Sequence, residues 1–281
     1  MSTGSEPVVD KPERDLRVRI LTAAGLLAIL LGLLYAGPLG VWLLVMIAGG
    51  LALFEFRGLS GRMGYRAPLW ILYPLGAYFA FSSTVLAGIS VEAVLSLTLI
   101  AGLTAFLFLP GRREGLGRWA MGLAGAVYIG LPFSYFLQLY ALGLPRGREW
   151  VLFTILTVVV ADTGALLVGA RLGRTPFFPA ISPRKTLEGA LGGIVAGVVV
   201  MILGASLVLG LGLLYSASLG LLVGLSAVLG DLVESQMKRI ARVKDASHLI
   251  PGHGGVLDRI DSLLFAPIVV IFFLSVTGQL H

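Results

Sequence analysis

Nine apolar segments, each about as long as a helix that crosses a bilayer, constrain this chain more than any other feature. A transmembrane helix needs about 20 mostly apolar residues. The segments are 18–36, 38–56, 67–87, 91–110, 119–142, 149–170, 187–209, 213–236 and 261–279. Of the 281 residues, 57% are apolar and only 13% charged, too few polar groups to cover a soluble protein. The sequence predicts an all-α, polytopic integral membrane protein with about nine transmembrane helices.

The basic residues indicate the orientation of these helices. With the N-terminus inside, 19 of the 21 Lys and Arg residues fall in inner segments, and only Arg146 and Arg148 fall outside. The inner residues are Lys11, Arg14, Arg17, Arg19, Arg57, Arg62, Arg66, Arg112, Arg113, Arg118, Arg171, Arg174, Arg184, Lys185, Lys238, Arg239, Arg242, Lys244 and Arg259. Cytoplasmic loops are enriched in Lys and Arg. This asymmetry predicts a cytoplasmic N-terminus and explains the net charge of +6 without nucleic acid, which we do not expect as a partner.

The predicted chain has three parts. Residues 1–17 form a short cytoplasmic tail, residues 18–142 contain the first five spans, and residues 143–281 contain the last four. The chain has no cysteine, which excludes disulfides, thiolate metal sites and a cysteine nucleophile.

Chemistry is expected in residues 231–261, where charge is concentrated. This stretch holds five of the fifteen acidic residues, five of the basic residues and two of the three histidines. The preceding residues 187–230 carry a single charge, at Glu188, and no Asp, Glu, Lys or Arg follows Asp261. Charges between membrane segments are energetically costly and tend to be functional.

Carboxylates in this stretch recur at helical spacing. Asp231, Glu234 and Lys238 share one face of a helix, and Asp258 and Asp261 repeat the three-residue spacing at the next span. Two helices that present carboxylates at one depth can hold one or two hard cations, and Mg²⁺ suits such a site when phosphates complete its shell. Alternatively, the carboxylates form interfacial ion pairs with neighbouring Lys and Arg side chains.

Basic residues and glycines lie between these carboxylates. The basic candidates for a phosphate pocket are Lys238, Arg239, Lys244 and Arg259. The run 251–255 offers bare backbone N–H groups that can bind phosphate oxygens. Alternatively, the basic residues only set topology and the glycines form a re-entrant turn. His253 could bind a phosphate, transfer a proton or cap the turn.

A third cluster lies upstream. Asp162 is an acidic residue inside the sixth span, which makes it a functional candidate, with a structural hydrogen bond as the alternative. The inner loop that follows is basic and leads into a helix, for which Thr186 is a plausible N-cap and Glu188 a first-turn acid. Together the clusters indicate a Mg²⁺–polyphosphate site at the inner membrane face, in an enzyme that uses a nucleoside triphosphate on a lipid phosphate or alcohol. The residues alone identify neither the nucleotide nor the lipid.

One motif resembles a known family. The run is Ser235-x-x-Lys238-Arg239-x4-Lys244-Asp245-x5-Pro251-Gly-His253-Gly254-Gly255-x2-Asp258-Arg259-x-Asp261. It resembles the signature of the phosphatidate cytidylyltransferase (CDP-diacylglycerol synthase) family. The segments beginning at Gly230, Asp162 and Ser182 are also similar to that family, and the resemblance covers roughly residues 160–265.

The resemblance implies a reaction in which CTP and phosphatidic acid give CDP-diacylglycerol and pyrophosphate. It also implies a requirement for Mg²⁺, a second monovalent cation such as K⁺, and a homodimer in the bacterial inner membrane with its active site facing the cytoplasm. The implied metal ligands are Asp231, Asp258 and Asp261. The catalytic candidates are these three with Lys238, Arg239 and Arg259. The substrate-binding candidates are Asp162, Ser182, Lys185, Thr186, Glu234, Ser235, Lys244, Asp245, His253, Gly254 and Gly255.

Three other functions stay open at this point. A CTP-dependent polyprenol or dolichol kinase would transfer the γ-phosphate and release CDP. A cytidylyltransferase for an ether-linked lipid phosphate would differ only in its lipid. An ion-coupled transporter could use Asp162 and Asp231, but its carboxylates would lie near the bilayer midplane, whereas these gather at the inner edge.

Overall fold

A computed structural model describes residues 12–84, 86, 88–108, 112–143 and 146–279. Among these residues there is no β-strand, and each of the nine predicted segments overlaps a helix. The helices are α1 (Pro12–Tyr35), α2 (Pro38–Arg62), α3 (Leu69–Phe81), α4 (Val91–Phe108), α5 (Arg112–Gly125), α6 (Leu131–Tyr140), α7 (Arg146–Leu172), α8 (Leu187–Met201), α9 (Leu213–Ile240) and α10 (Leu257–Val276). The π-helical turn Ala126–Gly130 joins α5 to α6, and a second, Ile202–Ser206, extends α8.

Within the described part of the chain, six helical stretches are long and apolar enough to cross a membrane. They are Pro38–Arg62, Glu114–Tyr140, Arg146–Leu172, Leu187–Ser206, Leu213–Ile240 and Leu257–Val276. The apolar parts of α1, α3 and α4 are shorter. Large apolar side chains point outward from the helices: Leu214 is 78% exposed and Trp70 is 76% exposed. The chain is therefore an all-helical, polytopic membrane protein.

Several boundaries differ from the predicted ones. Residues 12–17 of the predicted tail belong to α1, and residues 1–11 lie outside the described part. The basic residue Lys11 and the side chains of Arg14, Arg17, Arg19, Arg112 and Arg113 also lie outside it. Helix α3 ends at Phe81, six residues before the predicted end, and turns follow it.

Two boundary differences bear directly on the site. Helix α9 continues to Ile240, so Lys238 and Arg239 lie in its last turn rather than in a loop. Helix α10 begins at Leu257, four residues before the predicted span, so Asp258 lies in its first turn. The predicted spans excluded these residues because they are charged, although a helix can extend beyond the apolar part of a span.

The last four helices pack closely through small residues. A Cβ on Gly193 of α8 would lie 2.5 Å from the carbonyl oxygen of Ala161 in α7, so the two backbones are in contact there. Gly230 of α9 packs in the same way against the backbone of Asp261 in α10. Small residues allow such close approach between membrane helices. The polar residues at the ends of these helices are thereby brought together.

Candidate active site

A cavity of about 600 Å³ lies between α7, α8, α9, α10 and the loop 173–186. Nine of the predicted site residues line it: Asp162, Lys185, Thr186, Asp231, Lys238, Asp245, Asp258, Arg259 and Asp261. Further lining residues include Phe177 and Arg184 from the loop and an apolar wall of Ala165, Leu166, Ala190 and Val228. The fold thus brings the three charged clusters of the sequence into one cavity.

Lys238 lies between two buried carboxylates. Its Nζ forms an ion pair with Glu234, one helical turn earlier on α9, and lies 2.7 Å from Oδ1 of Asp258 on α10. The Glu234 side chain is 0% exposed and that of Asp258 is 4% exposed. The predicted shared face of α9 is confirmed, and the alternative of ion pairing is correct for Lys238. Glu234 does not line the cavity, and a part for it in substrate binding stays a prediction.

Asp258 also holds the loop 241–256 in place through hydrogen bonds. Its Oδ2 accepts hydrogen bonds from the N–H of Ala246 at 2.9 Å and the N–H of Gly255 at 2.8 Å. The N–H of His253 donates to the carbonyl of Ile250 at 2.9 Å. The N–H groups of Gly255 and His253 therefore already have acceptors within the protein. Phosphate binding by the run 251–255 stays a prediction.

Asp231 forms a second ion pair across the cavity. Its Oδ2 pairs with Lys185 of the loop 173–186, and its Oδ1 accepts a hydrogen bond from Ser235 Oγ at 3.2 Å. Ser235 therefore supports Asp231 from the same helix and does not itself line the cavity. Both members of the ion pair are partly exposed, so a substrate phosphate could reach Lys185.

The loop 173–186 is fixed at several points. Glu188 accepts hydrogen bonds from the N–H groups of Arg174 and Thr175, at 3.0 and 3.1 Å. Thr186 Oγ1 accepts from the N–H of Gly189 at 3.2 Å, which confirms the predicted N-cap of α8. Arg239 Nε donates to the carbonyl of Ile181 at 2.9 Å. Arg239 and the neighbouring Ser182 do not line the cavity.

Asp162 and Asp261 complete the carboxylates of the cavity. Ser262 Oγ lies 3.4 Å from Oδ1 of Asp162, which bridges α7 and α10. The N–H of Ser262 donates to Oδ1 of Asp261 at 2.8 Å. Carboxylates from α7, α9 and α10 therefore meet in one cavity with Lys185, Lys238 and Arg259.

The carboxylates of the cavity are the candidate ligands for a metal ion. Among the described residues, no three or more His, Asp or Glu side chains converge as a metal site. The predicted trio Asp231, Asp258 and Asp261 thus lines one cavity without converging, and Asp258 is engaged by Lys238. Proteins usually hold Mg²⁺ through one or two carboxylates, with phosphates and water completing the shell. The carboxylates of Asp231 and Asp261 fit that chemistry.

A second pocket, of about 410 Å³, adjoins this cavity and shares Asp245 and Arg259 with it. It contains the predicted residues Lys244, His253 and Gly254. Arg259 Nε donates to the carbonyl of His253 at 2.9 Å and so connects α10 to the pocket wall. The remaining N–H groups of its guanidinium are suited to bidentate contact with phosphate.

The sequence reasoning missed several polar and aromatic residues of these sites and one buried acid beside them. Arg184 and Phe177 line the cavity, and His248 lines the second pocket. Arg184 belongs to the family-like segment that begins at Ser182, and His248 lies at an unspecified position of the motif 235–261. Glu55 of α2 is 2% exposed and bonds to residues 247–257. It lies inside the predicted second span, so the rule that singled out Asp162 would also have found it.

Comparison with known proteins identifies the family of this chain. The model of the cytidylyltransferase family matches residues 17–277. A phosphatidate cytidylyltransferase of Bacillus subtilis is 32% identical over 270 residues, which cover 93% of this chain and 98% of the relative. One of Mycobacterium bovis is 31% identical over 267 residues, 89% of this chain and 85% of the relative. One of Helicobacter pylori is 43% identical over 154 residues, 52% of this chain and 57% of the relative. The chain therefore belongs to the cytidylyltransferase family.

Proposed function

We propose that the chain is a phosphatidate cytidylyltransferase, which transfers CMP from CTP to phosphatidic acid and releases pyrophosphate. One observation carries the proposal: acidic and basic side chains from α7, α9 and α10 line one cavity, in a chain that matches the cytidylyltransferase family over residues 17–277. Relatives that cover nearly the whole chain bear the name phosphatidate cytidylyltransferase. The product, CDP-diacylglycerol, is a phospholipid precursor.

The proposed chemistry is an in-line displacement at the α-phosphorus of CTP. An oxygen of the phosphatidate monoester forms the new O–P bond, the bond between the α-phosphorus and its bridging oxygen to the β-phosphate breaks, and pyrophosphate leaves. A phosphomonoester is already largely ionised near neutral pH, so no strong general base is required. The protein must position two anions against each other and stabilise the added charge.

We assign this task to the basic residues of the cavity. Lys185 and Arg259 would bind phosphate oxygens of CTP and of the lipid, with Arg184 at the loop edge. Lys238 is held by Glu234 and Asp258, so its charge is fixed in place. A cation that is pre-oriented by protein carboxylates loses little reorganisation energy during the reaction. Lys244 and His253 of the second pocket remain candidates for the distal phosphates.

We propose that Asp231 and Asp261 hold Mg²⁺ together with substrate phosphates, and that Asp258 contributes from its place beside Lys238. Bound Mg²⁺ would neutralise phosphate charge and act as a Lewis acid. The second, monovalent cation implied by the family resemblance would occupy the same carboxylate cluster. Asp162, which lines the cavity on α7, is available to either cation.

The apolar wall of the cavity suits a lipid substrate. Leu166 lines the cavity and is also 71% exposed on the outer surface of α7. The cavity is therefore next to a surface that contacts acyl chains in a membrane protein. The phosphate head group of phosphatidic acid would bind at the basic side of the cavity. Its acyl chains would lie along Leu166.

We further propose about nine spans, with residues 18–142 as the N-terminal membrane region and residues 143–281 as the catalytic region. The distribution of Lys and Arg supports a cytoplasmic N-terminus and a cytoplasm-facing active site in the bacterial inner membrane. A homodimer is proposed from the family resemblance alone. Cysteine scanning with a membrane-impermeant thiol reagent, on a chain that has no native cysteine, would test the orientation.

The deciding experiment is a product assay on protein purified in detergent and supplied with CTP, Mg²⁺ and phosphatidic acid. We expect pyrophosphate and a cytidine-bearing lipid to appear together and to vanish on addition of EDTA. Release of CDP with a phosphorylated lipid alcohol would instead indicate the lipid kinase. No product from any lipid phosphate, in protein shown to be folded, would reject the enzyme and favour the transporter.

A further inference from the structure

Glu55 is a buried carboxylate on α2, in the half of the chain that holds none of the predicted site residues. Its two oxygens accept three hydrogen bonds, and every donor belongs to residues 247–257. Oε1 accepts from Ser247 Oγ at 2.6 Å and from the N–H of Val256 at 2.9 Å. Oε2 accepts from the N–H of Leu257 at 2.6 Å. The carboxylate thus joins α2 to the loop and helix that carry Asp258 and Asp261.

These bonds replace an N-terminal cap on α10. Val256 is the N-cap residue of α10 and makes no side-chain cap bond of its own. The first N–H groups of a helix have no partner within the helix, and a negative charge near them is stabilising. Glu55 supplies both the acceptor and the charge from 201 residues away. The start of α10 is therefore held by Glu55 of α2 as well as by Asp258 of its own first turn.

The contact is close enough to transmit displacement. A Cβ on Gly255 would lie 2.6 Å from Oε2 of Glu55, so the carboxylate rests directly on the Gly255 backbone. The N–H of the same glycine donates to Oδ2 of Asp258 at 2.8 Å, and Oδ1 of Asp258 contacts Lys238. A shift of Glu55 would therefore move Gly255, then Asp258 and its contact with Lys238.

We propose that Glu55 is a positioning residue for the reaction, which fixes the first turn of α10 and so the placement of Asp258 and Asp261 in the cavity. Its effect on turnover rests on the proposed cytidylyl transfer. Its effect on the loop 241–256 does not. Glu55 itself touches no substrate, because its carboxylate is buried beneath the loop.

The test compares Glu55→Gln with Glu92→Gln, the same change at an exposed glutamate in the first turn of α4. Glutamine keeps the size of the side chain but turns an NH₂ group toward backbone donors. We expect kcat to fall about 10- to 100-fold, since misplacement by about 1 Å can cost that much. KM for CTP should change less than kcat, and backbone hydrogen exchange should rise across residues 246–258 only. Glu92→Gln should leave all these values unchanged.

Two results would overturn the proposal. One is that Glu55→Gln has the kcat and the backbone hydrogen exchange of the wild type. The other is that hydrogen exchange rises along all helices, which indicates a general folding defect. If Glu55→Gln does not fold, Ser247→Ala decides, because it removes one of the three bonds from the other side. If Ser247→Ala raises backbone hydrogen exchange at residues 246–258 and lowers kcat, the proposal is supported. If it changes neither quantity, the proposal is rejected. The exchange measurement needs no substrate, so it separates failure of this inference from failure of the proposed reaction.

Discussion

Lys238 Nζ of α9 lies 2.7 Å from Asp258 Oδ1 of α10, and the same ammonium pairs with the fully buried Glu234. One cation therefore contacts two buried carboxylates from two helices. The trio lies at one side of a cavity whose other carboxylates include Asp231 and Asp261. Such a site favours the binding of additional cations, which is what an enzyme for two phosphate substrates requires.

The first prediction separates the structural from the catalytic role of Lys238. Lys238→Met leaves Glu234 and Asp258 buried without their partner, which should destabilise the protein by about 3–5 kcal/mol. Adding Glu234→Gln removes one uncompensated charge and should recover about half of the lost thermal stability. Turnover should stay below about 1% in both variants, because the phosphate-facing cation is gone. Thermal unfolding in detergent and the pyrophosphate assay measure the two effects, and recovery of activity in the double variant would contradict the assignment.

The second prediction concerns Lys185, which pairs with Asp231 and is partly exposed. Lys185→Ala should change stability by about 1 kcal/mol or less, as for other accessible ion pairs. It should lower kcat/KM for CTP about 100-fold if the ammonium binds transferring phosphate. Arg118→Ala is the matched control, because it breaks an exposed ion pair with Glu114 away from the cavity. If Lys185→Ala and Arg118→Ala have the same kcat/KM for CTP, Lys185 does not bind the transferring phosphate.

The third prediction concerns the space at Gly255. Gly255→Ala would place a methyl group against the Glu55 carboxylate and should force it from Val256 and Leu257. We expect kcat to drop at least about tenfold, by the same displacement of α10. Gly58→Ala, within α2 with nothing within 4 Å of the added Cβ, should be neutral or slightly stabilising. If the two alanine variants have the same kcat, the contact between Gly255 and Glu55 does not control turnover.

The fourth prediction addresses the lipid. Leu166→Gln, at the exposed wall of the cavity, should raise KM for phosphatidic acid about fivefold, because an apolar contact of this size is worth about 1 kcal/mol or more. KM for CTP should not change. Leu191→Gln on α8 is the control, since Leu191 is also exposed but does not line the cavity. Kinetics in mixed micelles at varied lipid fraction give both constants. If KM for CTP rises more than KM for phosphatidic acid, this wall of the cavity does not bind the lipid.

Much of the site could be predicted because helical spacing determines which side chains share a face. The spacing of Asp231, Glu234 and Lys238 gave their common face on α9, and the cap at Thr186 followed from residue type. The start of α10 could not be predicted in this way. Hydropathy places the span at residue 261, whereas the helix begins at Leu257. Glu55, which is distant in sequence, accepts hydrogen bonds from the N–H groups of Val256 and Leu257.

The loop 241–256 was predicted less well than the helices. A run of glycines and histidine is compatible with phosphate binding and with an internal turn, and spacing alone does not distinguish them. The choice depends on which acceptors lie near the loop in three dimensions. Asp258 and Glu55 are those acceptors, and Glu55 comes from the other half of the chain.

The bond between Glu55 and the start of α10 also bears on the order in which the enzyme becomes active during its synthesis. The ribosome completes α2 long before α10, and a carboxylate without its partners is costly to hold in hydrocarbon. Until the last helix inserts, Glu55 must remain hydrated or be shielded by neighbouring helices. Insertion of α10 ends that state and assembles the cavity in the same event. A nascent chain would thus complete this cavity only when α10 enters the membrane.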